Sequence, residues 1–182
     1  MKMLVYRTPI ASRVPFSIAD LRAHLRVADG SEDMAITKIG LAAAAEIEQF
    51  AQIALLDQMI RVTIFGPKRE SSLRLPIGPV RDGVTPTVTI DGEPFNAFNF
   101  AAGNRPYINW LVEYHDLTPN RMTIEYQAGF GPTMAEVPYD LAQALLDQAA
   151  LLYDGRSPMD AKALTTSPHM ARVGARYRGV SA

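Results

Sequence analysis

The sequence predicts an α+β protein that is mainly a helical bundle, with two N-terminal helices, one C-terminal helix and a small antiparallel β insertion. Three observations carry that expectation. Apolar residues recur at three- and four-residue steps over 31–54 and again over 138–153, the spacing of one buried helix face. Period-two alternation is confined to 57–127. The two patterns meet in Arg121–Gly155, where Met122, Ile124 and Tyr126 alternate with Thr123, Glu125 and Gln127 before Gly129, Gly131 and Pro132 break the strand. The chain resumes as a helix at Pro138, a residue suited to a first helical turn because the N–H it lacks would have no partner there.

Composition sets the outer limits. At 182 residues one domain is the default, and 48% hydrophobic with 20% charged is ordinary for a globular chain. A net charge of −1 provides no global electrostatic footprint for nucleic acid or membrane. With no cysteine, disulfides, thiolate metal sites and cysteine nucleophiles are excluded. No apolar run approaches the roughly 20 residues of a membrane span. No apolar stretch with a small-residue cleavage site follows Lys2 and Arg7, so no signal peptide is expected.

Taken in order, residues 1–16 read as extended, since Pro9 and Pro15 bar a helix across them. Ser17 to Asp20 resembles a capping box and opens a helix over about 17–25 with Ile18, Leu21 and Leu25 on one face. Asp29 or Ser31 caps a longer helix over 31–54, whose seam is Ile36, Ile39, Ala43, Ile47, Phe50 and Ala54. The β insertion follows over 57–127. Its pieces are Met59–Phe65, Leu73–Leu75, Thr87–Ile90, Phe95–Phe100, Tyr107–Val112 and Arg121–Gln127, with a hairpin turn at Asp91-Gly92. The last helix, 138–153, carries Leu141, Leu145, Gln148 and Leu152. Residues 1–155 thus form the folded body. Residues 156–182 hold five basic residues and one acid, a net +4 that leaves −5 for the rest of the chain. That segment is poor in large apolar residues and is expected to be disordered, or ordered only on a partner.

The search for chemistry is mostly negative. Glu113, His115 and Asp116 form the densest polar cluster, which could serve an enzyme if a cleft gathered them. They precede a turn, and neither His24 nor His169 has ligand spacing to them, so a solvated turn is the preferred reading. Gly129 to Gly131 lacks the lysine and third glycine of phosphate and dinucleotide loops and reads as a turn. Trp110, Phe95, Phe98 and Phe100 could stack on bases, but without interleaved basic residues they read as sheet core. No catalytic, cofactor or metal site is assigned, and the profile is that of an assembly module rather than an enzyme. The alternative is a nucleic-acid-binding module acting through the basic tail.

The order of elements resembles the head–tail connector (adaptor) proteins of tailed bacteriophages, of the type common in proteobacterial prophages and gene-transfer agents. The resemblance rests on Pro15 to Arg26, Glu32-Asp33 with the Ala-rich helix after them, and the strand entry Ala54 to Thr63. It continues through Leu75-Pro76, Pro79-Val80, Val88 to Ile90, Tyr126 to Gly131, and Val137-Pro138 leading into Leu141 to Tyr153. It covers about residues 14–155. Val80 is followed by Arg81 to Thr85 where the family usually continues Ser-Val-x-Ser, so the first strands of the insertion are expected to differ.

The resemblance implies a virion protein at the neck, assembled in the host cytoplasm, without a cofactor or membrane. It implies a homo-oligomeric ring of about twelve subunits under the capsid portal. The portal protein would lie on one side, a stopper or tail protein on the other, and passing DNA would be touched only non-specifically. Arg172, Arg176, Tyr177 and Arg178 are the expected portal contacts. Ile39, Ala43, Ile47 and Leu145 are the expected subunit interface along the helical body.

Overall fold

The computed structural model describes residues 2–10, 13–155 and 166–178. The elements run β1 (Lys2–Pro9), α1 (Ile18–Leu25), α2 (Asp33–Ala51), β2 (Gln58–Phe65), β3 (Ser72–Arg74), β4 (Thr87–Ile90), β5 (Glu93–Pro94) and β6 (Phe98–Ala101). They continue with β7 (Tyr107–Trp110), α3 (Val112–His115), β8 (Arg121–Ala128), α4 (Tyr139–Asp154) and α5 (Pro168–Tyr177). The chain divides into two compact units, one of residues 2–10 and 57–130, the other of residues 13–56, 131–155 and 166–178.

The first is a β unit. Its larger antiparallel sheet has the order β1-β2-β8-β4-β5. Alternation places Ile60, Val62 and Ile64 of β2 opposite Tyr126, Ile124 and Met122 of β8, while Val88 and Ile90 of β4 flank Ile124 and Met122 from the other side. All eight are buried, so β8 sits at the centre of the apolar face, where each large side chain withdrawn from water contributes about 1.5–3 kcal/mol. The Asp91-Gly92 turn forms as the sequence predicts, with both residues at positive φ (51° and 100°), the conformation a two-residue hairpin turn needs. The Asp91 carboxylate also accepts the Arg121 N–H at 2.8 Å, tying the turn to the start of β8.

A second sheet, β3-β7-β6, is antiparallel as well. Trp110 and Tyr114 stack with centroids 4.6 Å apart, and Phe95 and Phe98 pack against Trp110 at 6.2 and 6.1 Å. The aromatic residues pack on one another, as sheet core does. The Tyr114 hydroxyl donates to the Lys68 carbonyl at 3.1 Å. Tyr126 is held more tightly. Its hydroxyl donates to the Ile77 carbonyl at 3.1 Å and accepts the Ile77 N–H at 3.2 Å. Burial raises its pKa well above that of a free phenol.

The second unit is helical. Ser17 caps α1, accepting the Asp20 N–H at 3.3 Å. Asp29 bonds Ser31 ahead of α2, whose own N-cap residue, Glu32, makes no side-chain cap bond. Gly40 lets α1 lie close on α2, since a Cβ there would fall 2.6 Å from the Phe16 ring and 2.9 Å from Leu21. α2 and α4 pack along the seam Ile36, Ala43, Ile47 and Leu141, Ala144, Leu145, all buried.

The expected architecture, mainly a helical bundle with a small β insertion, is corrected by this structure. Strands make up about 27% and helices about 36% of the described residues, with eight strands among them in two antiparallel sheets, so the fold is α+β. Two physical causes account for the difference. The extended N-terminal segment pairs along all of β2, from Lys2 opposite Phe65 to Pro9 opposite Gln58, and so widens the sheet. The strands between β2 and β8 divide, β4 and β5 extending the larger sheet while β3, β6 and β7 form a second one, so the insertion is a two-sheet unit rather than a small one.

Candidate interaction surfaces

The basic C-terminal segment contains a helix. Ser167 caps α5 by accepting the Met170 N–H at 3.0 Å, and Pro168 occupies the first turn. Met170, Val173 and Gly174 are buried against α2 and α4. Gly174 permits the approach, because a Cβ there would stand 2.6 Å from the Phe50 ring. The expectation that 156–182 is disordered, or ordered only on a partner, therefore does not describe 168–177, which pack within the chain. Residues 156–165 and 179–182 lie outside the described residues.

Polar side chains pin the helix at both ends. At its start, buried Gln148 of α4 accepts the Ser167 N–H at 2.7 Å and donates to Glu46 of α2 at 2.7 Å. Asp147 takes His169 of α5 on one carboxylate oxygen and His24 of α1 on the other, the latter at 3.2 Å. At its end, Asp140 receives Arg176 at 2.9 Å and the Tyr177 hydroxyl at 3.0 Å. Burial, together with the Asp140 bond and charge, raises the Tyr177 pKa. The Arg178 guanidinium lies 5.7 Å from the Phe50 ring centroid, within cation–π range.

Of the expected portal contacts, then, Arg176, Tyr177 and Arg178 already have intrachain partners, and Arg172 is exposed. Of the expected subunit contacts, Ala43, Ile47 and Leu145 are buried in the chain's own core, and Ile39 is half-buried. A side chain sealed in its own fold cannot meet a neighbouring subunit, so those three act as packing residues. Glu113, His115 and Asp116 are exposed around buried Tyr114 on the single short turn of α3. Among the described residues no group of three or more His, Cys, Asp or Glu could hold a metal ion. No helix among them is long and apolar enough to cross a membrane. The pinning residues Gln148, Asp147, His24 and His169 were not singled out by sequence as a set; Ser167-Pro168, a capping residue before an N1 proline, was the available signal.

No protein-family model and no curated protein matches the chain. Solved structures do. The chain is similar to one in the virion of a native gene-transfer-agent particle, at TM-score 0.79 and 27% identity over 98% of this chain and 97% of that one. It is similar at TM-score 0.76 and 25% identity to a chain in the neck of an empty particle computed with C6 symmetry. A chain in the neck of a native particle computed with C12 symmetry aligns at TM-score 0.74 and 25% identity. Each of the two neck alignments also covers 98% of this chain and 97% of the other.

These counterparts define a class, the structural components of the gene-transfer-agent particle and its neck. The correspondence spans both units and extends past residue 155 through α5, beyond the region on which the sequence resemblance rested. These counterparts support the resemblance to the gene-transfer-agent head–tail connector proteins that the order of elements carries.

Proposed function

We propose that this protein is the adaptor of a particle neck: a subunit that forms a ring under the capsid portal, joins head to tail and lines part of the DNA channel. The observation that carries the reading is the end-to-end match to chains in gene-transfer-agent virion and neck structures, two of them computed with six- and twelve-fold symmetry. A rotationally symmetric neck calls for a subunit with two different faces that meet head to tail around an axis.

On this reading α5 is the portal-facing element, with Arg172 as its exposed cation; Arg176, Tyr177 and Arg178 would join it only by leaving Asp140 and Phe50. The same contacts weigh against a nucleic-acid module working through the tail, because two of its arginines are engaged within the chain. The test is co-assembly. Mixed with its portal protein, the chain should form a complex whose mass equals portal plus a whole ring, seen by native mass measurement and electron microscopy. Arg172→Glu should weaken that complex while circular dichroism stays unchanged. Steeply salt-dependent binding to free DNA with no portal complex would overturn the reading.

A further inference from the structure

The β unit carries two exposed apolar surfaces that its own packing does not use. The first is the outer face of the large sheet. Strand alternation and the register put Lys2, Leu4 and Tyr6 of β1 on the face that also bears Phe65, Arg61 and Met59 of β2, opposite buried Val62 and Ile64. Leu4, Tyr6, Met59 and Phe65 are 47, 74, 41 and 43% exposed, and β1 is the edge strand of its sheet. Phe65 lies between Lys2 on one side and Arg121 on the other. Among the described residues, no ion pair involves either cation.

The second surface is the corner where β7 enters α3. Leu111 and Val112 are 39 and 75% exposed there. Beside them Glu113 and Asp116 are exposed and form no ion pair among the described residues. Trp110 and Tyr114, from the same corner, line a small gap with Ile64 and Met122 on the core face of the large sheet. The corner thus covers the core face while Leu4 and Tyr6 lie on the outer face, and the two surfaces look out from opposite sides of the β unit.

We infer that these are the two halves of one interface between copies of this chain: the Leu4–Tyr6–Phe65 face of one copy receives the Leu111–Val112 corner of the next, with Lys2 and Arg121 meeting Glu113 and Asp116. Each half is apolar with a charged rim, and the rims are opposite in sign, which gives both burial and orientation. Surfaces on opposite sides of a unit make a heterologous contact, the kind that closes into a ring. The inference rests on the ring reading above and supplies its contact surface.

A charge swap tests it. Lys2→Glu with Arg121→Glu, and separately Glu113→Lys with Asp116→Lys, should each lower the ring fraction on portal about tenfold or more, the scale of like charges facing across a contact. Mixing the two reversed proteins, or combining all four changes, should restore it. Normal rings from both reversed proteins would overturn the interface and leave the neck reading standing; no ring from the unaltered chain with portal would end both. Independently, a benzoylphenylalanine photocrosslinker in place of Tyr6 should capture residues 107–116 of a second, isotopically labelled copy. Capture of the portal or of its own chain would sink the assignment.

Discussion

The β unit and the helical unit are stabilised in different ways. In the β unit the decisive contacts are apolar cross-strand pairs, with β8 at their centre, and Tyr126 is the polar exception, satisfied by both backbone groups of Ile77. In the helical unit the α2–α4 seam is equally apolar, but α5 is held by glycine-enabled close approach and by polar pins from Gln148, Asp147 and Asp140. Apolar alternation is a property of neighbouring residues and shows in the sequence. Pins join positions far apart in the chain and show only when the fold assembles them.

The largest test of that contrast removes bulk from the β core. Ile124→Ala takes a fully buried side chain from between Val62 and Val88, and urea denaturation should show a loss of about 2–5 kcal/mol. Next comes the α5 joint. Gly174→Val forces a side chain into the Phe50 ring and should cost about 1–3 kcal/mol. Amide exchange over 168–177 should rise; unchanged protection there would mean that close approach is not what holds α5.

Tyr126→Phe leaves the Ile77 N–H and carbonyl without their partner and should cost about 1–3 kcal/mol. It also carries a pH signature. The folded-state pKa of Tyr126 is raised, so its contribution is fully present below the unfolded phenol value, about 10, and is lost as pH rises toward the folded value. The unaltered protein should lose stability more steeply than the Phe variant above about pH 10. The smallest effect belongs to the outer sheet face. Arg61→Ala breaks the exposed pair with Glu125, whose side chains are 63% and 39% exposed, and should cost under about 1 kcal/mol because water already screens both charges.

Much of the fold was legible because it rests on local chemistry. Ser17 caps α1, Asp91-Gly92 turns the hairpin, the strands 58–65 and 121–128 alternate, and α2 and α4 fall where the 3.6-residue pattern puts them. The resemblance to connector proteins was legible too, from the order of elements rather than from any one motif. The balance of the fold was not legible: the periodicity points to a mainly helical bundle, whereas strands make up about 27% and helices about 36% of the described residues. Extended residues 2–9 show no partner in sequence; only the β2 edge makes them a strand. Ala43, Ile47 and Leu145 look in sequence like an apolar interface stripe, yet they are apolar because the chain buries them itself.

The basic C-terminal segment shows the division most sharply. The sequence alone determined its composition, its +4 charge and the Ser167-Pro168 helix start. Whether it packs was decided by tertiary structure. Met170 and Val173 are too few to organise a core alone, but α2 and α4 present a prepared apolar surface with Gln148, Asp147 and Asp140 at its border. The backbone of α5 is ordered by contacts whose other halves lie some 20 to 120 residues away, a distance across which no local pattern can be read.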